Sequence, residues 1–330
     1  MKAATIEKTG PPESIKYGDF PDPQPKGAEV LVAVKAVAVN PVDTYIRAGT
    51  IPMPIPLPFV VGCDIAGEVI ATGPQARHFK KGNRVWGSNQ GLLGRQGTFA
   101  ELAAVDECWL YPTPDGVDDD TVAAVALVGL TAHLGLVRDA RLKAGETLFV
   151  NGGAGGVGSM VVQMAKALSA RVITTVGSSE KADYVRQLGA DVVIDYKRQD
   201  VAAEVRKAAP EGVNVWWETL RDPDFERTVP LLAERGRMIL MAGRDAKPVF
   251  PVGPFYVKGC SLHGFVVFKA TPEEQRTAAE DINRWLVSGK LKPNIGRVMR
   301  LSETSAAHRL QEENTVGKAG TLRGKIVLHP

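Results

Sequence analysis

The chain of 330 residues is 44% hydrophobic, 6% aromatic and 23% charged, with 34 Gly and 22 Pro. That composition excludes a disordered chain, a collagen-like repeat and a coiled coil, and it supplies enough apolar material for two compact domains. Basic and acidic residues nearly balance, 40 against 37, and no Lys/Arg tract is long enough to track a nucleic-acid backbone, so nucleic acid is not expected as a partner.

The amino-terminal MKAATIEKTGPP carries charges where a signal peptide needs its apolar run, and the expected compartment is the cytoplasm. Up to about residue 115, Gly and Pro interrupt the chain roughly every 8–12 residues around β-branched runs at Glu29 to Val39, Asp64 to Ala71 and Thr98 to Val105, the rhythm of an all-β domain. The run Val122 to Val137 is shorter than the roughly 20 residues a membrane span needs and is expected to be a buried helix, with no membrane partner. The three cysteines, Cys63, Cys108 and Cys260, are odd in number and lack CxxC spacing, which argues against a disulfide framework or structural zinc and fits a reducing compartment.

From Ala144 the rhythm changes. Apolar runs begin at 148, 172, 192, 213 and 238, separated by helical stretches; runs apolar on both faces alternating with helices indicate a doubly wound parallel sheet of Rossmann type. After the first run comes Gly153-Ala154-Gly155-Gly156-Val157-Gly158, a GxGxxG segment between a strand and an amphipathic helix. Glycines there let the backbone approach a pyrophosphate, whose charge meets the free N–H groups and positive end of the helix. Ala154, Gly155, Gly156 and Val157 are therefore expected to bind a dinucleotide.

The end of the next strand selects the dinucleotide. NAD specificity calls for Asp or Glu there, on the ribose 2′-hydroxyl, whereas this chain reads Gly177-Ser178-Ser179-Glu180-Lys181. A lysine and small hydroxyls suit a 2′-phosphate, so NADPH is expected, with Ser178 and Lys181 as its ligands. Glu180 is the contrary residue, expected to face solvent from the first helical turn. Past Lys269, Thr271-Pro272-Glu273-Glu274 carries the signature of a capped helix, with Ala278, Ile282, Trp285 and Leu286 on one face. An apolar strand, Lys325 to Leu328, ends the pattern. The expected layout is a discontinuous β-rich domain, residues 1–123 and 269–330, interrupted by a nucleotide-binding domain, 124–268.

Asn40-Pro41-Val42-Asp43-Thr44-Tyr45-Ile46-Arg47-Ala48-Gly49, Gly62-Cys63-Asp64-Ile65-Ala66-Gly67, Lys81-Gly82-Asn83-Arg84-Val85, Gly97-Thr98-Phe99-Ala100-Glu101 and the glycine segment together resemble the medium-chain dehydrogenase/reductase superfamily. Within it the chain is most similar to the zinc-free, zeta-crystallin-like quinone oxidoreductases. The resemblance implies a GroES-like catalytic domain around the Rossmann domain, and NADPH-dependent reduction of a quinone by hydride or electron transfer. A double-bond reductase acting on enones or alkenals and a non-catalytic NADPH-binding protein are the alternatives. Zinc-dependent relatives would carry ligands at positions matching Asn40, Cys63 and Leu127, and a single thiol makes no three-ligand site, so no metal is expected.

The resemblance also implies roles for single residues. Tyr45 would donate to the acceptor oxygen or hold the nicotinamide, unless it is a core aromatic, and Asn40 would orient the cofactor. Asp43 and Arg47 are expected to pair as a brace. Further cofactor contacts carried over are Thr131, Gly177, Tyr196, Asp222, Met241, Ala242, Gly243, Arg244, Phe265, Val266 and Val267. Ile51 stands where relatives often carry a second tyrosine, which leaves any proton donor open. The stretch Phe255 to Phe268 would supply an edge strand that pairs two subunits in a homodimer.

Overall fold

The computed structural model of the protein describes residues 1–317 and 319–330. The chain folds into two compact units, Met1–Val128 with Thr271–Pro330, and Gly129–Ala270. The first opens with β1 (Lys2–Ile6), β2 (Lys16–Asp19), β3 (Glu29–Val39), helix α1 (Pro41–Ala48), β4 (Phe59–Val60), β5 (Ile65–Thr72), β6 (Arg84–Gly87), β7 (Leu102–Asp106) and β8 (Leu110–Pro112). Helix α2 (Asp119–His133) carries the chain across the boundary.

The second unit holds β9 (Thr147–Val150), α3 (Gly156–Ala167), β10 (Arg171–Val176), α4 (Ser179–Gln187), β11 (Val192–Asp195), α5 (Val201–Ala208) and β12 (Val213–Glu218), then α6 (Phe225–Thr228), β13 (Leu232–Leu240), α7 (Val252–Val257) and β14 (Ser261–Gly264). Helix α8 (Pro272–Val287), β15 (Ile295–Arg300), α9 (Thr304–Thr315) and β16 (Lys325–His329) complete the first unit.

The long strand β3 organises the first unit. Val30, Val32, Val34 and Ala36 to Val39 are buried along it, and it pairs antiparallel with β5, β7 and β16. Strand β7 starts at Leu102, later than the residue pattern suggests: the Thr98 hydroxyl donates to Asp64 O (2.6 Å) and the Phe99 N–H to Val61 O (3.0 Å), and Ala100 makes an isolated antiparallel bridge to Ala3 of β1, so this segment does not extend the β7 ladder on β3. Helix α8 begins where its signature places it. The Thr271 hydroxyl accepts from the Glu274 N–H and the Glu274 carboxylate accepts from the Thr271 N–H, a reciprocal cap.

In the second unit all pairings are parallel, in the order β11-β10-β9-β12-β13-β14, so the first, second and third strands run outward on one side and the fourth, fifth and sixth on the other. Strand order reverses between β9 and β12, the place where such sheets bind ligands beyond their carboxyl ends. Trp216 stacks on Phe149 with ring centroids 3.9 Å apart, packed among Ile173, Ile194, Val205, Val229 and Met238. Each such side chain contributes about 1.5–3 kcal/mol by leaving water.

Helix α2 widens into a π-helical turn over Leu134–Asp139. Gly135 lies there against Trp217, whose ring would stand 2.3 Å from any Cβ. With that turn the helix runs over Asp119–Asp139, 21 residues, longer than its apolar run suggests, and among the described residues it alone is long and apolar enough to cross a membrane; Val122 to Val128, Leu130, Thr131, Ala132, Leu134 and Leu136 are packed inside the protein. The Phe255 to Phe268 stretch is not one strand. Its start belongs to α7, because Phe255 turns inward onto the Phe250 ring (4.9 Å), and only Ser261–Gly264 forms the edge.

Candidate active site

The GxGxxG segment forms the turn from β9 into α3. The Gly152 N–H donates to Thr175 Oγ1 (2.9 Å), the Gly153 N–H to Thr174 Oγ1 (3.0 Å) and the Gly155 N–H to Gly152 O (2.9 Å). Those amides are engaged by the protein, whereas the N–H groups opening α3 at Gly156 and Val157 have no intrahelical acceptor. A Cβ on Gly158 would stand 2.3 Å from Gly152 O, and one on Gly153 2.2 Å from Thr174 Oγ1. At Gly155 the nearest atom would be Gly152 O at 3.3 Å, and Gly155 and Gly156 are exposed. The turn is thus packed tightly on its inner side and open on its outer side, which fits a pyrophosphate at the helix's positive end.

The neighbouring strand ends extend the site. Ser178 caps α4, its hydroxyl accepting from the Lys181 N–H (3.4 Å), while the Lys181 ammonium has no ion pair or hydrogen bond among the described residues. Tyr196 is exposed after β11, and its hydroxyl lies over Gly177, 2.4 Å from where a Cβ would be. Asp222 is exposed beyond β12; Met241, Ala242, Gly243 and Arg244 follow β13; Phe265, Val266 and Val267 follow β14. The Phe265 ring meets Trp217 edge-on (6.4 Å) and carries the Arg138 guanidinium 5.4 Å from its centroid. All these strand-end residues share the carboxyl edge of one sheet. Thr131 is buried within α2.

In the first unit Asn40 immediately precedes α1 and Tyr45 lies on it, in different surroundings. Tyr45 is half-buried. Asn40 is fully buried: its Nδ2 donates to Asp64 Oδ2 (2.7 Å) and Ala38 O (3.2 Å), and its Oδ1 accepts from the Lys325 ammonium. Asn40 therefore acts as a structural hub at the amino end of α1. Lys325 also donates to Val39 O (2.8 Å) and stands 4.0 Å from Asp64, whose other oxygen accepts from Ser88 (2.7 Å).

Burial governs the charges in this cluster. It pushes the Asp43 carboxyl up to about 7, lifts Asp64 above the usual carboxylate range, raises the Cys63 thiol well above its ordinary value and lowers Lys325. The expected Asp43–Arg47 brace does not form. Asp43 accepts from the Asn40 N–H (2.7 Å), whereas Arg47, turned the other way toward α9, bonds Gly10 O and Glu312. Sequence reasoning passed over Asp64, Ser88 and Lys325. A charged residue opening an otherwise apolar terminal strand was the available signal for Lys325.

Two family profiles match the chain: "Alcohol dehydrogenase GroES-like domain" over residues 26–115 and "Zinc-binding dehydrogenase" over residues 156–284. A quinone oxidoreductase of Sus scrofa is 34% identical over 330 residues, covering 99% of this chain and 97% of that protein. Among solved structures, the Escherichia coli quinone oxidoreductase complexed with NADPH superposes with a TM-score of 0.86 at 27% identity, and an NAD-dependent alcohol dehydrogenase with 0.87 at 29%, each covering both chains fully. Backbone similarity spans both nicotinamide cofactors, so local residues must decide between them.

A catalytic zinc does not fit the residues present. At the three positions matched to ligands, the Asn40 amide is engaged, the Cys63 thiol is buried and held well above its ordinary pKa, and Leu127 offers no side-chain donor. Among the described residues no three His, Cys, Asp or Glu converge elsewhere. With 34% identity along its whole length to a quinone oxidoreductase and profile matches in both units, the chain belongs to the quinone oxidoreductase family of the medium-chain dehydrogenase/reductase superfamily.

Proposed function

We propose that this protein is an NADPH-dependent quinone reductase that works without a metal ion. The observation that carries the cofactor half is the Lys181 ammonium, left without a partner beside Ser178 at the end of β10. The open turn at Gly155 and Gly156 receives the pyrophosphate, Tyr196 over Gly177 offers a face for the adenine, and the loops at Asp222, Met241–Arg244 and Phe265–Val267 hold the remainder, with Thr131 behind them. Bound NADPH supplies the hydride. A quinone accepts it without a Lewis acid because its conjugated ring spreads the arriving charge, and the phenol of Tyr45 donates a hydrogen bond to the developing oxyanion. Asn40 positions α1, and Tyr45 with it. The free edge of β14, next to the exposed Tyr256, Val257 and Leu262, suits a symmetric homodimer.

The acceptor is tested by following NADPH absorbance across ortho- and para-quinones and α,β-unsaturated aldehydes. Quinone turnover is expected to dominate; turnover confined to alkenals overturns the reading in favour of a double-bond reductase. Lys181→Ala is expected to raise the KM for NADPH roughly tenfold or more, as loss of a charge-assisted contact does, with the KM for NADH within about twofold. Equal changes for the two nucleotides would refute the phosphate assignment. Tyr45→Phe should lower kcat with quinone roughly tenfold or more, the scale of a lost oxyanion or proton donor, while the NADPH Kd from fluorescence titration stays near the wild-type value.

A further inference from the structure

Glu218, the last residue of β12, is 2% exposed, and no Lys, Arg or His pairs with it among the described residues. N–H donors surround it instead. Asn151 Nδ2 lies 2.9 and 3.0 Å from its two oxygens, Trp216 Nε1 3.1 Å from Oε2 and the Leu220 N–H 2.8 Å from Oε1. A group ringed by donors alone is an acceptor-only carboxylate.

The chain of bonds runs on in one direction. Asn151, with its amide nitrogen committed to Glu218, turns Oδ1 toward the Thr175 hydroxyl, which donates to it (3.2 Å) and accepts from the Gly152 N–H (2.9 Å). Thr219, next to Glu218, donates its hydroxyl to Asn151 O (2.8 Å). The first residues of the GxGxxG turn are thereby tied to β10 and β12, the strands on either side of β9. Asn151, Thr175 and Glu218 are buried, so their effect on a bound phosphate is exerted through the backbone they hold.

We propose that Glu218 is a positioning residue for nucleotide binding: it fixes the orientation of the Asn151 amide, which through Thr175 sets the Gly152 N–H and the height of the phosphate-facing turn. This rests on the assignment of NADPH to that turn. Glutamine at 218 keeps the size but replaces one acceptor by a donor, so one of the three N–H groups faces another donor and the Asn151 amide loses its single preferred orientation.

The test measures NADPH Kd by fluorescence and steady-state KM and kcat for the wild type, Glu218→Gln, Thr175→Val, Thr175→Ser and the Glu218→Gln/Thr175→Val double variant. Glu218→Gln and Thr175→Val should each weaken NADPH binding about tenfold with kcat at saturating NADPH within about twofold. Thr175→Ser, which keeps the hydroxyl, should bind like the wild type. The double variant should lose less than the product of the single effects, because both break one chain. If wild type binds NADPH and Glu218→Gln binds it equally well, or if the double effect is the full product, the proposal is overturned alone. If wild type does not bind NADPH, the cofactor assignment falls and this proposal with it. Should Glu218→Gln fail to fold, Thr175→Val decides: unchanged binding overturns the proposal, and weakened binding restored by Thr175→Ser upholds it.

Discussion

Gly158→Ala is expected to abolish measurable saturation by NADPH and to destabilise the second unit. The added methyl would lie 2.3 Å from the Gly152 carbonyl oxygen and 3.0 Å from Gly153 Cα, both backbone atoms that no rotamer change can move. Either α3 slides outward or the turn opens, and both displace the amides at Gly156 and Val157 from the phosphate. Overpacking of this kind costs about 1–3 kcal/mol of stability. Gly155→Ala is the contrasting variant, because its methyl finds only Gly152 O, at 3.3 Å, on the open side where the phosphate is assigned. Thermal unfolding should leave Gly155→Ala near the wild type while both variants lose NADPH affinity in titration. Wild-type affinity in Gly158→Ala would remove the turn from the binding site.

Lys325→Met is expected to cause the largest loss of stability, about 3–5 kcal/mol near pH 8, the cost of stripping the partner from buried charge, with a fall of roughly 10 °C in Tm. Asp64 is fully buried and Asp43 is 2% exposed, and the ammonium of Lys325 lowers the carboxyls of both. The dependence on pH has a definite sign. Asp43 binds its proton up to about pH 7 in the folded protein, against 3.8 as its ordinary value. Between those limits the folded state holds a proton that the unfolded chain has released, so this group's stabilisation is full below the window, declines as pH rises through it and is level above. Without Lys325 both carboxyls rise further and the decline extends to higher pH. The deficit of Lys325→Met should therefore shrink when unfolding is measured at pH 5.5 instead of 8. A deficit that is small and independent of pH would show that the ammonium does not balance these acids.

The glycine turn was legible because its parts are contiguous: strand, glycines and helix follow one another, and the reasons for Gly153 and Gly158 lie in nearby backbone and Thr174. Strand β3 and helix α8 were legible for the same cause, one through a near-unbroken apolar run and the other through its Thr271–Glu274 cap. Spacing misled where neighbours on a helix had stronger partners elsewhere. Asp43 and Arg47 stand four apart on α1, yet α1 packs on α9 and Glu312 takes the guanidinium. Alternating apolar residues between Phe255 and Phe268 suggested a strand, but the inward turn of Phe255 made its first part helical.

By itself, the sequence determined the two architectures and the parallel sheet with its glycine turn, because periodicity and turn chemistry are local properties. Only the tertiary structure decided which polar side chains would be buried together. Asn40 meets Lys325 across 285 positions and Asn151 meets Glu218 across 67. A lone Lys, Asn or Glu in an apolar run carries no mark of its partner, since a buried polar group is stabilised by whatever donor or acceptor the fold brings against it.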